Sequence, residues 1–257
     1  MRADKRLGQH FLVDPAVLRE ICDIADVEHS AGVLEIGPGE GALTAFLAAS
    51  SKPVIALEKD PRAVIEVRQR LGDRVQVVEG DALEADLGAL LPVAEPGGRR
   101  PIVVGNLPYN VGTAIFRRLL ALGMRVERMV LMLQREVADR ITAVPGTREH
   151  GLLTVSTALR ARAWQVGVVP ATAFRPQPKV ESALLLVEPL SAPRLDDEEE
   201  AEFLTLVASI SQSRRKTLSN SVVDTKALEA VGIDPRARPE TLDLETLLAL
   251  HRALRSR

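Results

Sequence analysis

The sequence predicts an α/β protein: a mostly parallel sheet covered by helices, with a small all-α domain at its C-terminal end. Three observations carry this. Short β-branched runs recur at VLEI (33–36), VIALE (54–58), VQVVE (75–79), IVVG (102–105) and MVLML (129–133). Between them lie stretches with helical spacing, such as ALTAFLAA and PRAVIEVRQRL, and strands spaced by helices and apolar along their whole length belong to parallel sheets. Finally, PLSAPRLDDEEE (189–200) interrupts the alternation with prolines and an acidic run, and only helical periodicity follows.

Taken in order, the five runs form the parallel core. WQVGVV and ALLLVEP read as two further strands joined by the Pro-rich PATAFRPQPKVES, and their closeness suits an antiparallel edge. Past the acidic boundary, Phe203, Leu206, Val207 and Ile210 share one helix face, and Leu244, Leu247, Leu248 and Leu254 form another stripe. The expected division is a catalytic, cofactor-binding domain over 1–190 and a helical domain over 194–257. No internal repeat is visible.

Composition narrows the class. The chain has 257 residues with 46% hydrophobic content, and its mean hydropathy is near zero, as in ordinary globular proteins. Its single cysteine, Cys22, excludes an internal disulfide and sits on a predicted helix face, where an inert buried thiol is expected. No apolar run approaches the roughly 20 residues that cross a bilayer, and MRADKRLGQHFLVD offers no secretory core, so a cytoplasmic protein without a membrane partner is expected. The net charge of −2 hides an asymmetry: residues 1–98 carry −7, residues 99–193 carry +7 and residues 194–257 carry −2. Surface solvation explains most such charges, but a basic middle segment also suits a polyanion.

LEIGPGEGAL (34–43) leaves a strand and opens a helix. Glycines at 37, 39 and 41 let the backbone pass close to a ligand at the carboxyl edge of the sheet. The next strand ends in Glu58, a carboxylate able to grip both hydroxyls of a ribose. These two features fit NAD as well as S-adenosyl-L-methionine. VVEGDAL (77–83) ends in Asp81, able to accept from an adenine amine. The ordered acids Glu35, Glu58 and Asp81 favour a cofactor with a sulfonium and an ammonium and would repel a diphosphate.

A fourth strand delivers Asn106, Leu107, Pro108 and Tyr109 to the same edge, and Tyr109 is the one tyrosine of the chain. The amine of adenine is a poor nucleophile because its lone pair is delocalised into the ring. The Asn106 side-chain oxygen and the Leu107 carbonyl can together accept its hydrogens and favour a pyramidal nitrogen. Pro108 keeps the turn rigid and Tyr109 offers a face for the base. This chemistry calls for no metal and no general base.

These motifs together resemble the ribosomal RNA adenine dimethyltransferases over essentially the whole chain, most closely the small-subunit branch (RsmA/KsgA). GQHFLVD (8–14), LEIGPGEGALT, NLPYNVGTAIF, LMLQREVADRI, FRPQPKVES (174–182) and RRKTLSNS (214–221) each match a family segment. The resemblance implies a Rossmann-like class I S-adenosylmethionine-dependent methyltransferase sheet. It implies that His10, Leu12, Gly37, Gly39, Glu58, Asp81 and Asn106 contact S-adenosylmethionine, and that Tyr109 and Phe174 sandwich the target adenine. The family more often has Asn in place of His10. It further implies dimethylation of two adjacent adenosines in the 3′-terminal hairpin of small-subunit RNA within an immature 30S particle, by a monomer. On this reading Arg117, Arg118, Arg214, Arg215 and Lys216 contact RNA phosphate, with Lys5 and Arg6 on the N-terminal arm. Large-subunit resistance enzymes share the architecture but typically carry Ile in place of Leu107 and lack a segment like RRKTLSNS. An assembly factor with secondary catalysis is the alternative of a different class. An NAD oxidoreductase would leave NLPY unexplained.

Overall fold

The computed structural model describes residues 8–211, 217–220 and 225–255. The first regular elements follow from local chemistry. Asp14 caps helix α1 (Pro15–Ala25) by accepting from the Ala16 N–H at 2.9 Å, and Pro15 supplies a ready-made first-turn φ. The same Asp-Pro device opens α3 (Pro61–Leu71), where Asp60 accepts from the Arg62 N–H at 3.1 Å.

Strands β2 (Val33–Ile36), β3 (Val54–Glu58), β4 (Gln76–Glu79), β5 (Ile102–Asn106) and β6 (Met129–Gln134) pair in parallel, in the spatial order β4-β3-β2-β5-β6. β9 (Ser182–Pro189) then enters antiparallel between β6 and the edge strand β7 (Ala161–Val169), which completes seven strands. All four residues of β2 and the first four of β5 are buried, which is why these runs read as uninterrupted apolar sequence. Leu18 and Ile21 of α1 share a core with Val33, Val104 and Val130.

A second, two-stranded sheet was not expected. β1 (Phe11–Leu12) pairs antiparallel with β8 (Phe174–Arg175), which ties the N-terminal arm to the Pro-rich connection. Two-residue strands carry no periodicity, so the sequence gives no sign of them.

By its contacts the chain forms two compact units, Met1–Ala138 with Ala161–Ala192, and Asp139–Arg160 with Pro193–Arg257. The sequence division had left residues 139–160 in the first domain. They join the second unit because Val155 and Leu159 pack in one cluster with Phe203, Val207 and Ile210 of α7 (Asp197–Ser211) and Leu247, Leu248 and Leu250 of α9 (Leu244–Arg255). Arg160 fastens the same unit, donating to Glu200 at 2.8 Å and Asp197 at 2.7 Å. None of the described helices is long and apolar enough to cross a membrane.

Candidate active site

The carboxyl ends of the parallel strands open into a cavity of about 480 Å³, within the range of roughly 300–1,000 Å³ typical of small-molecule sites. Its floor begins with the glycine loop after β2. Gly37, Gly39 and Gly41 have φ of 70°, 56° and 77°, a conformation only glycine adopts without cost. Gly39 is also a close-approach position, because a Cβ there would stand 2.8 Å from the Phe11 ring of the N-terminal arm.

Glu58, at the end of β3, holds this loop. Its carboxylate accepts from the Gly39 N–H at 3.0 Å and from the Asp60 N–H at 2.8 Å. Burial pushes its carboxyl upward, and the backbone hydrogen bonds pull the other way. The Glu58 carboxyl thus joins the glycine loop through one oxygen to the chain just past β3 through the other. The chain turns sharply past Glu58, and Asp60 both caps α3 and accepts from Gln9 of the arm at 3.0 Å.

Asp81 lies at the cavity wall one strand further on. The Lys59 ammonium, 2.6 Å away, foremost holds its carboxyl below the ordinary range, and the Leu83 N–H at 2.8 Å helps. Glu35 differs from the other two acids. It is buried, burial pushes its carboxyl up to about 8, and Glu58 adds to the rise. Its Oε2 has no hydrogen-bond partner among the described residues. Burial thus favours the protonated form of Glu35, whereas Lys59 favours the charged form of Asp81.

The NLPY segment begins at the end of β5. Gly105 lies opposite Ile36, and a Cβ on it would meet the Ile36 carbonyl at 2.9 Å, so the two strands can approach only over glycine. Asn106 donates from Nδ2 to the His10 carbonyl at 2.9 Å. A carbonyl can only accept, so this bond fixes the amide orientation and leaves Oδ1 as the free acceptor end. The Leu107 N–H is taken by the Met132 carbonyl at 3.0 Å, and the Val111 N–H donates back to Pro108 at 3.2 Å, closing a tight turn. Tyr109 hydrogen-bonds Ser182 through its hydroxyl, and burial raises its phenol above the ordinary value.

The ring beside Tyr109 is His10, with centroids 5.1 Å apart and planes inclined by 30°. His10 Nδ1 lies 2.7 Å from the Pro176 carbonyl, which can only accept, so Nδ1 is the donor of this bond. His10 thus links the arm to the NLPY turn through its backbone and to the Pro-rich connection through its ring.

The cavity brings together His10, Leu12, Gly37, Gly39, Glu58, Asp81, Asn106, Leu107, Pro108 and Tyr109. Phe174 stands apart: it is fully buried in β8, inside the apolar cluster with Leu12 and Leu184, and is not on the cavity wall. Its pairing with Leu12 in the small sheet accounts for that burial. Arg118 also departs from expectation. Both of its terminal nitrogens donate to carbonyls, Nη1 to Ala82 at 2.7 Å and Nη2 to Ala85 at 2.9 Å. Arg117 is exposed, while Arg214, Arg215, Lys216, Lys5 and Arg6 lie outside the described residues. Sequence reasoning missed Phe11, Lys59, Gln9 and Asp60. Of these, Gln9 and Phe11 lie inside the GQHFLVD segment, and Lys59 and Asp60 lie in no quoted motif.

The residues fit S-adenosyl-L-methionine. Glu58 and Asp81 suit a ribose and an adenine amine, and the Glu35 Oε2, without a hydrogen-bond partner among the described residues, offers a further acceptor. A family model described as "Ribosomal RNA adenine dimethylase" matches residues 1–254. Relatives named "Ribosomal RNA small subunit methyltransferase A" include those of Geobacter metallireducens, 42% identical over 99% of this chain and 96% of the relative, and Geobacillus thermodenitrificans, 41% identical over 97% and 90%. A dimethyladenosine transferase from Plasmodium falciparum superposes with a TM-score of 0.77 at 26% identity, covering 94% of this chain and 96% of that one. The 23S rRNA methyltransferase ErmE does so at 0.71 and 26%, covering 95% and 99%.

Proposed function

Because the chain belongs to the ribosomal RNA adenine dimethylase family, we propose that it methylates the N6 amines of two adjacent adenosines in the 3′-terminal hairpin loop of small-subunit RNA, within an immature 30S particle in the cytoplasm. The product is N6,N6-dimethyladenosine at each position. The observation that carries this reading is the anchored amide of Asn106, whose acceptor end stands free on the cavity wall beside Tyr109.

S-Adenosyl-L-methionine, when bound, supplies a methyl group made electrophilic by its sulfonium. The chain does the rest by placement. Asn106 Oδ1 and the Leu107 carbonyl accept the two hydrogens of the target amine, which draws the nitrogen towards a pyramidal form and frees its lone pair. Pro108 and the closed turn hold these two acceptors in fixed relation. Tyr109 stacks on the base, worth about 1–3 kcal/mol, and its hydroxyl bond to Ser182 fixes the ring. Positioning of this kind can supply about 7–11 kcal/mol of the barrier. Loop adenines are already partly unstacked, so extruding one costs at most a few kcal/mol. Arg117 and the basic segment Arg214–Lys216 would meet phosphate.

The likeness to ErmE supports one second reading, methylation of large-subunit RNA. Higher identity to the small-subunit relatives, over nearly the full length of both chains, favours the first. The test offers labelled S-adenosylmethionine with immature 30S particles and with 23S RNA, and identifies modified bases by mass. Dimethyladenosine confined to the 3′ hairpin is expected, and label in 23S RNA would transfer the protein to the other branch. Binding to 30S particles without any transfer would make it an assembly factor.

A further inference from the structure

We propose that Arg118 is a positioning residue of the cofactor site: it clamps the turn that follows Asp81 and so shapes the subsite for the cofactor's adenine. The inference rests on the reading of Asp81 as the acceptor for that adenine. The turn begins at Asp81 itself, whose backbone carbonyl accepts from the N–H groups of Glu84 at 2.9 Å and Ala85 at 2.8 Å, while its side chain accepts from Leu83. A single turn closed only by such local bonds has little stability of its own.

Arg118 closes it from outside. Its Nη1 and Nη2 reach the carbonyls of Ala82 and Ala85, at 2.7 and 2.9 Å, and a planar guanidinium can serve both at once where an ammonium could not hold both in one geometry. Asp81, Ala82 and Leu83 all line the cavity, so the clamp lies behind the wall that the adenine would touch. Arg118 sits on α4 (Gly112–Leu120), the helix that begins directly after the Asn106–Asn110 loop. One rigid element therefore supports the catalytic loop at its start and the adenine turn from its body. The neighbouring Arg117 is exposed and has no partner among the described residues, which leaves it, of the two, free to meet a phosphate.

The test uses the full chain with Arg118→Met, Arg118→Lys and Arg117→Ala. Calorimetry measures binding of S-adenosylhomocysteine and of 5′-methylthioadenosine, which keeps adenine and ribose and lacks the amino-acid end. Loss of a charged two-carbonyl clamp should weaken both ligands by the same factor, about tenfold for Arg118→Met and less for Arg118→Lys. Binding of the 3′-hairpin RNA by the Arg118 variants should keep the wild-type salt slope. Arg117→Ala should show the converse: unchanged nucleoside binding and a salt slope lower by about one. Nucleoside affinities within twofold of wild type in Arg118→Met would overturn the proposal whatever the salt slope, and a reduced slope would move Arg118 to the RNA surface. If that variant does not fold, Arg118→Lys decides by the same criterion. Wild-type protein that binds neither nucleoside would instead refute the cofactor reading.

Discussion

Replacing Asn106 by Ala removes two interactions that act on different observables. The first is the Nδ2 bond to the His10 carbonyl, 2.9 Å long and partly buried. A neutral bond of this kind is worth about 0.5–1.5 kcal/mol net. In a chain of this length about 1 kcal/mol moves the melting temperature by roughly 2–4 °C. A loss of about 1–6 °C follows, enough to measure and too little to unfold the protein. The second is the Oδ1 acceptor at the reacting amine. One preorganised hydrogen-bonding group at a reacting centre contributes about 10²–10³ in rate. The single-turnover rate on immature 30S particles, by rapid quench at saturating cofactor, should fall by about that factor. The S-adenosylhomocysteine Kd should rise by no more than about tenfold, because Glu58, Asp81 and the glycine loop are untouched. A single-turnover rate within about fivefold of wild type would refute the assignment of Oδ1 as the amine's acceptor.

Other substitutions separate the remaining parts. Glu35→Gln mimics the protonated acid, and Glu35 has its carboxyl raised to about 8 from 4.5, so its folding contribution is full below pH 4.5 and lost as pH rises through about 8. Without cofactor, the melting temperature of wild type relative to Glu35→Gln should therefore decline between pH 5 and pH 8.5; a difference independent of pH would contradict the buried-acid account. Tyr109→Ala should raise KM for the RNA substrate by about 5–150-fold, the equivalent of about 1–3 kcal/mol of stacking, while Tyr109→Phe keeps the face and stays near wild type. Equal losses in the two variants would make the hydroxyl, not the ring, the working part. Gly39→Ala places a Cβ 2.8 Å from the Phe11 ring at a φ of 56°, and the left-handed backbone alone costs about 1–2 kcal/mol. Cofactor affinity measured by calorimetry should drop at least about tenfold, and an unchanged affinity would show that the arm does not form the cavity wall.

The parts of the fold that sequence could reveal are those encoded by neighbours. Parallel strands announced themselves through continuous apolar runs, as in Val33–Ile36, and α3 through the helical spacing of PRAVIEVRQRL. The ligand edge was legible because glycines at 37, 39 and 41 and the Asn106–Tyr109 turn each demand a backbone that few other sequences supply. What escaped is decided by distant partners. Lys59 reaches Asp81 across a strand, Arg118 reaches carbonyls on another loop, and Phe174 is buried by its pairing with Leu12. Residues 139–160 lie in sequence between two strands of the sheet, so only the packing of Val155 and Leu159 against Phe203 and its neighbours assigns them to the second unit.

The arm has a consequence for synthesis. Phe11 and Leu12 are made well before their strand partners, Arg175 and Phe174, which lie more than 160 residues further along the chain. His10 waits for both Asn106 and Pro176. A nascent chain can thus assemble five parallel strands while its amide at position 106 still lacks the bond that orients it. Until residues 174 and 175 are made, the strand that pins the arm beside the NLPY turn has no partner.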